Sequence, residues 1–147
     1  MATAEQRGVR DAAAAVPERT AALVASIADP MRRPTPEDWS AHEVVLHLAA
    51  TDLLWHERLD RLANEDHPEW PWVEPPKWDG PGHETIEGAL AAFTGFRGET
   101  IARLDALDDA GWARRGHHRT FGELDAAGLM RVLLDHDEEH LAQIRAV

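Results

Sequence analysis

The chain has 147 residues, 27 acidic against 15 basic side chains, a formal net charge of −12 and no cysteine. That length supports one domain, expected to span residues 1–147, with a core that needs no staples. Without cysteine, disulfides, thiolate metal sites and a protein thiol nucleophile are excluded, so any metal must be held by His, Asp, Glu or water.

The acidic balance opposes nucleic-acid binding, because the only basic cluster is the short "ARRGHHR". There is no signal-peptide pattern and no apolar run near the roughly 20 residues needed to cross a bilayer, so a cytoplasmic location away from membranes is expected. From the N-terminus, Val9, Ala13, Val16, Thr20, Leu23 and Ile27 recur at alternating steps of four and three, a bundle-type stripe that stops at Asp29-Pro30. Pro17 lies inside it. Proline has no N–H to donate and crowds the preceding turn. The spacing therefore predicts either one kinked helix or a helix starting at Pro17, with residues 1–16 as an N-terminal helical extension.

A second helix is expected over about residues 41–64, with Ser40 and Glu43 as a capping box and Trp39 with Val44 as a hydrophobic staple. Residues 65–84 follow, where Pro68, Pro71, Pro75, Pro76 and Pro81 exclude a helix. Trp70, Trp72 and Trp78 read as anchors fastening a bundle-length crossover, in preference to walls of a pocket. Ile86, Leu90, Phe93, Arg97, Ile101, Leu104 and Leu107 form the stripe of a third helix, in which Gly88, Gly95 and Gly98 suggest close packing. After "DDAGWARRGHH", Thr120 and Glu123 resemble another capping box and predict the start of the last helix. No strand-like alternation appears. The expectation is an all-α four-helix bundle with a long proline- and tryptophan-rich crossover between the second and third helices.

In "LLDHDEEHLAQI", residues 133–144, His136, His140 and Gln143 share the face of Leu129, Leu133 and Ile144 at about 100° per residue. An inward imidazole must satisfy both ring nitrogens, and a metal ion is one partner that takes two such rings at once. In the second helix His47 shares a face with Val44, Thr51 and Leu54, whereas His56 points the opposite way. Helices packed 8–10 Å apart allow inward imidazoles on both to meet one ion.

Together, "WSAHEVVLHLAATD" and the late "HDEEHLAQI" resemble the DinB-like (YfiT-like) superfamily of metal-dependent four-helix-bundle enzymes, from about residue 17 onward. The resemblance implies His47, His136 and His140 as metal ligands and a bundle with a long crossover. It also implies either thiol-dependent transfer or hydrolysis, since the family includes both.

Three nitrogen ligands leave a position open, the usual arrangement of catalytic zinc; nickel, iron and manganese also accept imidazole. Metal-bound water with a pKa near 7 would give a hydrolase. A thiol losing its proton to the ion's charge would give an S-transferase acting on small electrophiles, the reading that the resemblance favours. Mycothiol or bacillithiol is the family-level expectation for that thiol in GC-rich organisms. A non-catalytic metal- or small-molecule-binding bundle is the further alternative. A small-molecule substrate is expected, and homodimerisation is left open.

Gln143 is placed to hold a ligand histidine or a bound water, or simply to close the seam. Asp137 and Glu139 read as solvent-facing charges, and Glu43 as a capping partner and not a general base. His42, His67, His83, His117 and His118 read as loop or surface residues. Arg114, Arg115 and Arg119 read as helix-end cations sooner than as anion ligands.

Overall fold

The computed structural model describes all residues, 1–147. Four long helices build the bundle: α1 (Ala4–Ala25), α2 (Ala41–Asn64), α3 (Ile86–Asp105) and, after the five-residue α4 (Asp109–Ala113), α5 (Ala126–Arg145). The expected four-helix bundle is therefore present. None of its helices is long and apolar enough to cross a membrane. Each of α2 and α1 opens with a capping box, Ser40 with Glu43 and Thr3 with Gln6. In each, the first turn's free N–H groups find side-chain oxygens. α1 and α2 each pack against both α3 and α5, so the two helices consecutive in sequence face each other across a diagonal.

α1 runs through Pro17 as one helix. The proline leaves the Ala13 carbonyl without its N–H partner four residues on. That carbonyl accepts instead from Arg97 Nη1 of α3, at 2.9 Å. The same guanidinium makes bidentate pairs with Asp52 of α2 (2.8 and 2.9 Å) and Asp137 of α5 (2.9 and 3.0 Å). One residue thus ties all four helices together. Arg97 is 1% exposed, and its polar layer lies between two apolar clusters, one around Trp55, Leu104 and Leu133, the other around Leu48, Phe93 and Leu141.

Asp137 is accordingly buried, not solvent-facing as expected. Burial pushes its carboxyl up to about 6 against the pull of Arg97. Among the helix-three glycines only Gly88 marks a close approach: a Cβ there would collide with the Gly82 carbonyl, while Gly95 and Gly98 face open space.

Three short strands were not anticipated: β1 (Glu69–Trp70) in the crossover, β2 (Gly116–His118) and β3 (Gly122–Leu124). β2 pairs in parallel with β1 and antiparallel with β3. The turn between β2 and β3 contains Thr120 and ends at Gly122 with φ +78°, so the apparent Thr120–Glu123 box is a hairpin. Asp125, accepting from Gly128 N at 2.8 Å, is the true cap of α5.

The crossover tryptophans divide their roles. Trp70 is buried against Gly116, where a Cβ would strike its ring, and Trp78 packs edge-to-face on Phe96 with ring centroids 5.6 Å apart. Those two are anchors. Trp72 is 54% exposed at the mouth of a cavity.

Candidate metal centre

α2 brings His47 into the bundle, and α5 presents His136 and His140 one turn apart on the facing stripe. His136 Nε2 lies 3.0 Å from His47 Nε2 and 3.1 Å from His140 Nε2. One atom from each ring lies within 4.8 Å of the others. The sequence-predicted trio is therefore brought together. Trp39, placed by its position just before the Ser40 cap, stacks over His140 (centroids 6.4 Å, 13° between planes) and packs at 5.1 Å on His47.

Electrostatics keep two of the rings, His47 and His136, neutral. Burial, then the neighbouring His140, pushes His47 down to about 4 despite the nearby Pro76 and Pro75 carbonyls. Burial followed by His140, His47 and Arg97 takes His136 to about 3. His140 donates Nδ1–H to Gln143 Oε1 at 2.8 Å, which leaves its Nε2 lone pair aimed at the other two rings. The Nδ1 atoms of His47 and His136 are buried without a hydrogen-bond partner.

Ring nitrogens crowded together in this way repel through their lone pairs unless a proton or a cation stands between them. Zinc–nitrogen bonds of 2.0–2.1 Å in a tetrahedral set put the nitrogens about 3.3–3.4 Å apart, a few tenths of an ångström wider than the two separations from His136 Nε2. The donor set therefore fits a divalent ion with one or more positions free.

Beside the trio opens a cavity of about 550 Å³. Its walls are Thr51, Trp55 and Arg58 of α2, His136 and His140 of α5, and the two loop tips carrying Trp72 and Phe121. The size suits a small organic molecule. His47 does not line the cavity and forms the back of the site.

The other singled-out residues stand apart from the trio. His56 is buried on the opposite side of α2, with Nε2 2.8 Å from the Phe96 carbonyl. His42, expected at the surface, is buried, and its Nε2 lies 2.6 Å from the His83 carbonyl. His67 and His117 share the Glu123 carboxylate. His118, also expected at the surface, is buried in β2. Arg114 donates to the Leu62 and Glu65 carbonyls at the end of α2. Glu43 does more than cap: Arg33 and Lys77 both bind it, at 2.6 and 2.7 Å, tying the loop before α2 and the crossover to one carboxylate. Glu139 is exposed on the cavity rim, as expected of a surface charge.

A family model described as the DinB superfamily matches residues 11–144. Among solved structures the chain is similar to YfiT from Bacillus subtilis, described as a probable metal-dependent hydrolase with an unusual four-helix bundle topology. The two are 20% identical, with a TM-score of 0.76 over 99% of this chain and 87% of that one. No curated protein matches.

Proposed function

This chain belongs to the DinB superfamily, and on that footing we propose that it is a metal-dependent enzyme in which His47, His136 and His140 hold a divalent ion, zinc first, and that it joins a low-molecular-weight thiol to a small electrophile. The observation that carries this reading is the convergence of three histidine Nε2 atoms beside an open cavity. When bound, such an ion supplies Lewis acidity that generates a nucleophile at neutral pH.

The chain's own residues do the rest. Gln143 holds His140 in the tautomer whose Nε2 can coordinate, and Trp39 covers the far side of the rings. Thr51 donates its hydroxyl to the His47 carbonyl at 2.8 Å, fixing the turn that carries that ring. No carboxylate is hydrogen-bonded to any of the three histidines, and the nearest ones on the cavity lining, Asp135 and Glu139, are exposed on its rim. A thiol, with a pKa near 8.5 against 15.7 for water, needs the smaller shift. With no cysteine in the chain, the thiol comes from outside; mycothiol and bacillithiol are the first candidates.

Hydrolysis is the second reading, favoured by the description of YfiT. Untagged protein purified without chelator should contain about one divalent ion per chain, and cobalt-substituted protein should show a sulfur-to-cobalt charge-transfer band with the right thiol. Turnover of a model electrophile should need both metal and thiol. If no thiol among mycothiol, bacillithiol and glutathione perturbs the cobalt spectrum, while an ester or amide is cleaved without thiol, hydrolysis is the better account.

A further inference from the structure

His47, Thr51, Trp55 and Arg58 follow one another along a single face of α2 at steps of four, four and three. The last three line the cavity. The cavity thus has a histidine end, at His136 and His140 beside Thr51, and about 10 Å further along α2 between the Thr51 and Arg58 Cα atoms, an arginine end. Arg58 is only 4% exposed, yet it forms no ion pair. Its guanidinium rests 4.6 Å over the Trp55 ring and makes a single, long hydrogen bond, Nη2 to the Pro71 carbonyl at 3.3 Å. Its other two nitrogens are left unpaired at the cavity wall. Burial lowers its pKa, with only the adjacent Glu57 opposing. The three carboxylates on the rim, Glu74, Asp135 and Glu139, are all exposed and none binds it.

A buried charge without a counterion is unfavourable, and a ligand anion would relieve it. The one other buried arginine, Arg97, is answered by two aspartates. Beside Arg58 stands His118, whose Nδ1 accepts from the backbone N–H of Thr120 (3.0 Å) and Phe121 (3.3 Å). Its ring proton is therefore on Nε2, which has no partner in the chain. Burial and the Arg58 charge both lower its pKa, so it stays a neutral donor. A cation without a counterion and an N–H donor without an acceptor line one cavity.

We propose that Arg58 and His118 form an oxyanion subsite and that the substrate is a small organic acid: its carboxylate lies on Arg58, its apolar middle between Trp55, Val132 and Phe121, and its reacting atom at the histidine end. A carboxylate matches the planar guanidinium fork. The inference rests on the proposed function only for what happens at the histidine end; the anion subsite exists with or without a metal.

Binding of phenylalkanoates of increasing chain length and of their primary amides, followed by quenching of tryptophan fluorescence, tests it on both the metal-loaded protein and His136→Ala. The acids should bind at least tenfold more tightly than the amides to both proteins. Arg58→Gln should abolish that preference, and Arg58→Lys, which keeps the charge and the stem over Trp55 but loses the fork, should cut it severalfold even if Arg58→Gln fails to fold. Equal binding of acid and amide to the wild-type protein, or an unchanged preference in Arg58→Lys, overturns the subsite. So does a preference that vanishes in His136→Ala, because the carboxylate would then be sitting on the metal. Failure of the wild-type protein to retain any metal would defeat the enzymatic reading and leave the acid preference standing.

Discussion

Arg97→Met should come close to unfolding the protein. The substitution keeps an unbranched, apolar stem in place and removes the guanidinium, leaving Asp52 and Asp137 facing each other at 0% exposure. Breaking a buried pair by removing one partner costs about 3–5 kcal/mol. Escape by protonation is no easier, since loading a carboxyl of ordinary pKa with a proton at pH 7 costs about 4 kcal/mol. The Ala13 carbonyl, which Pro17 leaves open and only Arg97 answers, adds about 1–3 kcal/mol as an orphaned acceptor. A loss of about 4–8 kcal/mol compares with a whole-domain stability of about 5–15 kcal/mol. Urea unfolding at pH 7, followed by tryptophan fluorescence, measures it. The triple variant Asp52→Leu, Arg97→Met, Asp137→Leu should regain most of the loss, because its cost is unpaired charge and not shape. A loss below about 1 kcal/mol for Arg97→Met would refute the assignment of the polar layer as one electrostatic unit; a triple variant no better than the single one would place the cost in packing.

Alanine at His47, His136 or His140 should each abolish tight metal retention, read by metal analysis, while His56→Ala should retain a full complement, its ring being held by the Phe96 carbonyl. Glu43 is held well below the ordinary carboxylate range, first by Arg33 and then by Lys77, against burial. Its contribution is fully present above the unfolded-state value of 4.5 and is lost as pH falls below it, because the unfolded chain then binds more protons. Glu43→Gln should therefore be less stable at pH 7 but lose less on acidification below pH 4.5, which thermal melts across that range will show. The protein should not bind DNA specifically at physiological salt, since a chain with a net charge of −12 offers little counterion release; tight binding in a gel-shift titration that weakens steeply with salt would contradict this.

Much of the architecture was legible because it is encoded locally. Ser40 and Glu43 lie three residues apart and announce α2 without any knowledge of the rest. The histidine trio could be assembled because a period of 3.6 places His47 on one stripe and His136 with His140 on another. What stayed hidden depends on pairing across the chain. Strands of two or three residues are too short to show alternation, so β1, β2 and β3 left no trace. Thr120 and Glu123 satisfy the spacing of a capping box, and only the positive φ at Gly122 reveals a hairpin. Asp137 looked exposed among its charged neighbours. Yet Arg97 stood on the inward stripe of α3 from the start, and an inward arginine demands a buried anion. Arg58 gave the same signal, eleven residues after His47 on the same face.

The small sheet bears on how quickly a ligand can arrive. β1 leads directly into Trp72 on one rim of the cavity, and the β2–β3 hairpin carries His118 and Phe121 on the other. Because β1 and β2 are hydrogen-bonded to each other, with Trp70 opposite His118, both rims belong to one body. Admission then depends on side-chain rotation of Trp72 and Phe121, both half-exposed at the mouth. Rotamer changes of exposed residues take picoseconds to nanoseconds, against microseconds or longer for collective loop or domain movement. Encounter and not gating should set the association rate, which for a small ligand would rise linearly with concentration and show no plateau from a slow opening step.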